Sequence, residues 1–213
     1  MKAKKLIPLI LSMVIALAGC KAGDSLLTKE DLSTFERIQN TLISMESYQA
    51  TARVEYISNK NTHTYETFQQ AKLTGQYRIE VTGPERVAGN VTISDGRTIA
   101  QFNPQIAGKI AITTTEAPER HEIFFTTFVL NYVRSQEVSI SAANIDENVC
   151  TVLEAQIPGD HPYLHKEKLW VNNETLKPVK MVIYDPEGGE RIIITYDSFE
   201  FNVELSDALF RIE

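Results

Sequence analysis

The sequence has little cysteine, and this scarcity excludes a fold held together by disulfide bonds. Its 213 residues contain two cysteines, Cys20 and Cys150. If Cys20 is modified, as argued below, no internal bridge can form and the hydrophobic core alone must hold the fold. Cys150 lies in a run typical of a strand, where a small buried apolar residue is expected. The alternative is a reactive thiol.

Positive charge is also scarce. The chain has 21 lysines and arginines against 28 aspartates and glutamates, which gives a net charge of -7. Such a surface repels phosphate backbones and anionic lipid headgroups, so nucleic acid is excluded as a partner. Because no basic patch is present, attachment to a membrane would require a lipid.

Motifs of catalysis and of phosphate binding are missing. No serine stands in a Gly-x-Ser-x-Gly turn, and Gly188-Gly189 lies within a turn rather than between a strand and a helix. The neighbouring carboxylates Asp146 and Glu147 are explained by a solvated loop. We therefore expect no catalytic residue and no cofactor, and the sequence does not indicate an enzyme.

The four histidines do not form a metal-binding pattern. His161 and His165 are four residues apart, a zinc spacing only if both lie on one helix. Pro162 makes that helix improbable. His63 lies in a polar stretch, and no second histidine follows His121 at a zinc-binding spacing. The sequence therefore predicts surface histidines and no metal site.

The first twenty residues have the layout of an export signal. Three lysines precede an apolar run over residues 6–17, which ends in Leu17-Ala18-Gly19-Cys20. The run is about a dozen residues long, short of the roughly 20 needed to span a bilayer. It resembles the bacterial lipoprotein signal, which implies cleavage between Gly19 and Cys20 and lipidation of Cys20. A plain signal peptide or a buried helix is the alternative.

Lipidation would fix the location of the mature protein. Two or more acyl chains hold a protein stably on a membrane, here on the outer side of the cytoplasmic membrane. We expect a signal peptide at residues 1–19, a lipidated start and short linker at 20–27, and one folded domain at 28–213. The domain is long enough for a sizeable core.

Hydrophobic periodicity predicts two helices and many strands. Apolar residues at a spacing of three and four indicate a helix over residues 28–47, and a heavier apolar load indicates another over about 118–135. Residues 48–56 alternate with a period of two, which is typical of a half-buried strand. Asp95-Gly96 predicts a hairpin turn. Further strands are predicted at 65–71, 75–81, 90–94, 98–103, 109–115, 138–140, 149–157, 167–171, 179–184 and 191–196. The tail at 205–212 is predicted to form a helical turn and an edge strand.

This order predicts an α+β fold. A curved antiparallel sheet forming a half-open barrel, covered by two or three helices, buries the apolar faces most simply. We expect bulky side chains to fill its interior. These are Phe124, Phe125, Phe128, Tyr132 and Trp170.

Several strings resemble a known superfamily. They are Phe35-Glu36-Arg37-Ile38, Lys168-Leu169-Trp170-Val171 and the stretches 45–50, 176–180 and 199–212. On these the chain is similar to the lipoprotein-carrier superfamily, the LolA/LolB-like proteins. The resemblance implies a half-open barrel that encloses helices, and it covers nearly the whole mature chain.

Other strings resemble the clostridial germination lipoproteins of that superfamily. They lie at residues 56–60, 108–110, 118–120, 146–155 and 157–163. The resemblance implies a non-enzymatic homodimer in forespore-surrounding membranes. It also implies that the protein binds and activates a zinc-dependent N-acetylmuramoyl-L-alanine amidase of the spore cortex, needed for muramic-δ-lactam formation and germination.

Two functions therefore remain open at the level of sequence. In the first, the domain binds a partner protein, for which exposed strand edges are the expected surface because an unpaired edge can pair with another chain. Such an edge could also join two copies. In the second, the interior binds acyl chains or a lipid, as the carriers do. Bulky interior side chains favour the first.

Overall fold

The computed structural model describes residues 29–105, 109–113, 121–135 and 138–212. The predicted signal peptide, the linker at 20–27, and the predicted cleavage and lipidation residues Gly19 and Cys20 lie outside the described residues.

The described chain contains two α-helices, eleven strands and three short 3-10 turns. The helices are α1, Lys29–Ile43, and α2, Phe125–Arg134. The 3-10 turns are Glu85–Val87, His121–Ile123 and Asp207–Phe210. The strands are β1 Ser47–Ile57, β2 Thr62–Lys72, β3 Tyr77–Gly83, β4 Val91–Ser94, β5 Thr98–Phe102, β6 Lys109–Thr113, β7 Val138–Ile145, β8 Asn148–His161, β9 Leu164–Asn172, β10 Pro178–Tyr184 and β11 Glu190–Phe201.

All eleven strands belong to one antiparallel sheet. Their order is β6-β5-β4-β3-β2-β1-β11-β10-β9-β8-β7, so two meanders meet where β1 pairs with β11. In the described part of the chain β6 and β7 are the two outer strands and do not pair with each other. The sheet is therefore open, and the predicted α+β half-open barrel is confirmed.

Alternation of side chains along β1 defines the concave face. Tyr48, Ala50, Ala52 and Val54 are buried, whereas Arg53 between them is exposed. This is the period of two that the sequence predicts. Because β1 lies in the middle of the sheet, its buried face forms the floor on which the helices pack.

The aromatic side chains of α2 fill the concave face. Phe125 is 0% exposed, and its ring lies 5.8 Å from that of Tyr48, 4.9 Å from that of Phe199 and 6.5 Å from that of Tyr196. Close aromatic pairs in edge-to-face geometry add to the free energy of burial. Four of the five residues predicted to fill the interior are buried there: Phe124, Phe125, Phe128 and Tyr132.

Trp170 is the exception, and the prediction for it was wrong. Leu169 and Val171 on either side of it are buried in the core, so the pleat of β9 directs Trp170 to the opposite face. There it is half-buried, and the Lys180 ammonium lies 5.5 Å from its ring centre.

The helices are shorter than predicted. α1 ends at Ile43, because the chain must enter β1 at Ser47 to pair with Lys72. α2 begins at Phe125, after an extended Phe124 (φ -91°, ψ 133°) whose ring packs 4.3 Å from that of Tyr77. The part of the second predicted helix at residues 118–120 lies outside the described residues.

Two smaller predictions were partly wrong. The hairpin of β4 and β5 forms as expected, but Asp95 is paired with Thr98, so the two turn residues are Gly96 and Arg97. Gly96 adopts a φ of +93°, which glycine tolerates best. The tail makes the helical turn Asp207–Phe210, and the described residues 202–212 contain no strand.

Candidate functional site

Among the described residues, the most deeply buried acidic or basic side chain is that of Glu167 of β9, which faces α2. It is 0% exposed, and Asn131 Nδ2 donates a hydrogen bond of 2.8 Å to its Oε1, while Oε2 has no partner among the described residues. The pKa of Glu167 is raised to about 8, chiefly by burial and to a smaller extent by the Glu122 carboxylate. The hydrogen bond from Asn131 acts in the opposite direction and lowers it. The carboxyl is therefore mostly protonated at neutral pH and ties α2 to the sheet.

Arg191 joins three loops at one end of the sheet. Its Nε and Nη2 each lie 2.6 Å from Asp185 Oδ2, in the β10–β11 turn, and its Nη1 donates to Asn59 Oδ1 at 2.8 Å, in the β1–β2 loop. Its guanidinium carbon lies 5.4 Å from the ring centre of Tyr163, in the β8–β9 turn. One arginine thus fixes three hairpin ends relative to one another.

The acceptor of this arginine is held in a rigid turn. Asp185 is buried, and its Oδ1 accepts hydrogen bonds from the N–H groups of Gly189 at 2.7 Å and Glu187 at 3.0 Å. The bond from Gly189, with the charge of Arg191, lowers the pKa of Asp185. A Cβ on Gly189 would lie 2.9 Å from Asp185 Oδ2, so the close approach requires glycine here.

The other two loops are ordered by local hydrogen bonds. Ser58 N donates to Asn61 O at 2.9 Å, and Asn61 N donates to Ser58 Oγ at 3.0 Å. In the β8–β9 turn, Tyr163 N donates to His161 Nδ1 at 3.1 Å. Because Nδ1 accepts this bond, Nε2 is the ring nitrogen of His161 that can donate one.

These loops and the 3-10 turn His121–Ile123 enclose a cleft of about 710 Å³, here called the tip pocket. Ile123 and Ile192 line it and also belong to the core, so its floor is the outer layer of the core. His63 and His161, which the sequence predicts to be surface residues, both line this pocket. The sequence did not reveal the pocket, because its walls come from four distant segments.

The structure also gives the positions of the other residues that the sequence analysis considers. His161 ends β8 and His165 lies in β9, so the pair does not share a helix. Cys150 is a buried free thiol, and burial raises its pKa. Across the described ranges no cluster of His, Cys, Asp and Glu is placed to hold a metal ion. None of the described helices has the length and apolar character to span a membrane.

The outer strand β7 presents an unusual edge. Its eight residues, VSISAANI, contain no charged side chain, no proline and no glycine, and five of them are exposed. Natural outer strands commonly carry charges or proline to prevent pairing with another chain. An uncharged strand of this length is able to accept a strand from a partner.

Comparison with solved structures places the chain near proteins of related fold. It is 13% identical to an uncharacterized conserved protein from Thermus thermophilus, with a TM-score of 0.52, covering 85% of this chain and 93% of that one. A LolA superfamily protein from Nitrosomonas europaea is 16% identical, covering 85% and 97%, with a TM-score of 0.44. The likeness to the Thermus thermophilus protein shows a shared fold and carries no information on function.

A higher identity, 31%, is found with a chain of the CwlD amidase complex with the GerS lipoprotein from Clostridioides difficile. The match covers 82% of this chain and 96% of that one, with a TM-score of 0.49. It confirms the predicted resemblance to a clostridial germination lipoprotein, GerS. No protein in the curated set matches significantly. The Sporulation protein YdcC-like family matches residues 2–210, and the chain therefore belongs to that family.

Proposed function

We propose that this protein is a membrane-anchored lipoprotein without enzymatic activity that binds and activates a spore-cortex N-acetylmuramoyl-L-alanine amidase. One observation carries the proposal: the 31% identity, over 82% of this chain, with a chain from the complex of an amidase and a lipoprotein. Membership of a sporulation family agrees with it. In this role the protein would support muramic-δ-lactam formation and germination.

The packing of the interior supports contact through the surface. Phe125 and Phe128 are completely buried, and with the other core residues they occupy the concave face. Acyl-chain binding, the alternative function, would need that space for a ligand. The loops and strand edges are therefore the surfaces through which we expect this protein to act.

We propose that the edge of β7 contributes to the amidase interface. A lysine at the exposed position Ser141 should weaken amidase binding about tenfold or more, because a charge on an outer strand opposes pairing with another strand. Thr64→Lys, at an exposed position of the interior strand β2, is the matched control and should bind normally. Multi-angle light scattering of the mixture measures complex formation and also tests the proposed homodimer.

Two results would contradict this proposal at different levels. Normal binding by Ser141→Lys would remove the β7 interface and leave the function standing. Failure of the unaltered chain to form a complex with the amidase, together with normal muramic-δ-lactam in a deletion strain, would remove the function itself. Saturable uptake of a fluorescent fatty acid would favour the acyl-chain alternative instead.

We further propose that lipid on Cys20 anchors the protein to the membrane. Cys20→Ala should move the protein from the membrane fraction to the soluble or secreted fraction, because the thioether-linked acyl chains supply the attachment. Amidase binding should be unchanged, since the folded domain carries the contact. Fractionation and immunoblotting measure the first effect. Retention of Cys20→Ala on membranes would show that another segment is the anchor.

A further inference from the structure

The tip pocket has the size and the lining of a small-molecule site. Its volume, about 710 Å³, lies within the range of roughly 300–1,000 Å³ that is usual for ligand pockets. The rings of Tyr56 and Tyr163 and the side chains of Ile57 and Leu164 supply apolar walls. These walls suit a ligand that has an apolar face.

The charged groups of the pocket favour an anion on one side. Lys60 and Arg191 line it, in a chain whose net charge is -7. The charge of Arg191 is largely balanced by Asp185, with which it makes two contacts of 2.6 Å, so Lys60 is the lining cation left for a ligand. Glu122 also lines the pocket and would repel an anion nearby. A carboxylate is therefore expected beside Lys60.

The polar side chains around Lys60 suit a ligand that has hydroxyl and amide groups. Asn61 and His63 line the pocket beside Lys60, and His161 offers its Nε2 proton. Amide and imidazole side chains make directed hydrogen bonds both as donors and as acceptors. The β1–β2 loop, which carries Lys60 and Asn61, is fixed by Ser58 and Arg191, so little ordering of this loop is required on binding.

The floor of the pocket argues for a compact ligand. Ile123 and Ile192 line it and belong to the same hydrophobic core as the buried Phe124 and Phe125, so close-packed side chains adjoin the floor. A long acyl chain would need a continuous apolar passage into the interior. A ring with one apolar face, polar substituents and a carboxylate fits the lining better.

We propose that the tip pocket binds a carboxylate-bearing N-acetylated amino sugar of the cell-wall glycan. This inference rests on the proposed function, because an amidase partner of the cortex would bring the protein next to such glycan. The pocket holds the sugar ring against Tyr163, pairs its carboxylate with Lys60 and bonds its amide through the histidines and Asn61. The protein thereby contacts the polymer on which its partner works.

Titration calorimetry with N-acetylmuramic acid tests this inference on the purified full chain. We expect saturable binding, and binding about five- to tenfold weaker for Lys60→Ala, because a charge-assisted hydrogen bond is lost. Tyr163→Ala should weaken binding by a similar factor. Lys177→Ala is the matched control, since this exposed lysine lies in the loop at the opposite end of β9 and should bind normally.

Two further probes identify the chemistry that is recognised. N-acetylglucosamine, which lacks the carboxylate, should bind the unaltered chain several-fold more weakly than N-acetylmuramic acid does. On Lys60→Ala, the two sugars should bind with equal affinity. Decanoate should not compete. The inference would be overturned by absence of saturable binding of N-acetylmuramic acid or by displacement of this sugar by decanoate. It would also be overturned if Lys60→Ala and Tyr163→Ala bound the sugar as tightly as the unaltered chain. The assay contains no amidase, so its failure is distinct from failure of the proposed function.

Discussion

Replacing Phe125 with alanine should lower the free energy of unfolding by about 3–5 kcal/mol, the range for removing a fully buried phenylalanine ring. The ring is 0% exposed and touches aromatic side chains of both β1 and β11. Its loss opens a cavity where α2 joins the two meanders. Urea denaturation followed by circular dichroism measures the effect.

Phe102→Ala is the matched control for this experiment. Phe102 is 44% exposed at the end of β5, so its replacement should cost less than about 1 kcal/mol. If the two variants lost similar stability, α2 would not be docked on the concave face as described.

Replacing Glu167 with glutamine should increase stability at neutral and alkaline pH. The pKa of this carboxyl is about 8 in the folded protein, chiefly through burial, against an ordinary value of 4.5. Between these values the unfolded chain releases a proton that the folded chain keeps, so stability falls as the pH rises. The loss should reach on the order of 3 kcal/mol at pH 7 and level off above pH 8.

Glutamine keeps the shape and the acceptor for Asn131 but cannot ionise. Glu167→Gln should therefore abolish most of the decline in stability between pH 5 and 8, while below pH 4.5 it should differ little from the parent. Thermal unfolding across this pH range measures the difference. An unchanged pH profile in the variant would show that Glu167 is ionised in the folded state.

Glu154→Gln is the control, because its expected effect on stability at neutral pH is opposite to that of Glu167→Gln. Partial burial opposes ionisation of Glu154, but Lys168 and Lys166 lower the pKa of its carboxyl overall. Its contribution to stability is present above the ordinary pKa and is lost as the pH falls. This variant should therefore be slightly less stable at neutral pH and should retain the alkaline decline.

Local periodicity predicted most of the fold, because each strand is half-buried. The alternation of Tyr48, Ala50, Ala52 and Val54 identifies β1 and also its inward face. The ends of the helices were harder to predict, since tertiary contacts decide them. Phe124 is extended so that its ring meets Tyr77, and no property of the neighbouring sequence requires this.

The same alternation identifies Glu167 as an inward residue, although a charged side chain is usually taken as exposed. It shares a face with Leu169 and Val171. Its partner Asn131 lies 36 positions earlier. A period of two gives the face of a residue, but it does not give the environment that keeps its carboxyl neutral.

The tip pocket could not be predicted, because its walls come together only in the folded sheet. Arg191 bonds Asn59 across 132 positions of sequence and stacks on Tyr163 from a third hairpin. The sequence of each loop, taken alone, is typical of an ordinary polar turn. The information that joins them lies in the strand order, which single-sequence patterns do not contain.

The pairing of β1 with β11 has a consequence for how the chain acquires its structure. Among the described residues, the centre of the sheet is formed by the first and last strands, with Tyr48 opposite Phe201. During synthesis, β1 therefore keeps one side unpaired until Glu190–Phe201 has emerged. Contacts between residues so distant in sequence slow folding. Until they form, the unpaired edge of β1 favours aggregation. A truncation that removes only β11 would thus expose the middle of the sheet rather than its margin.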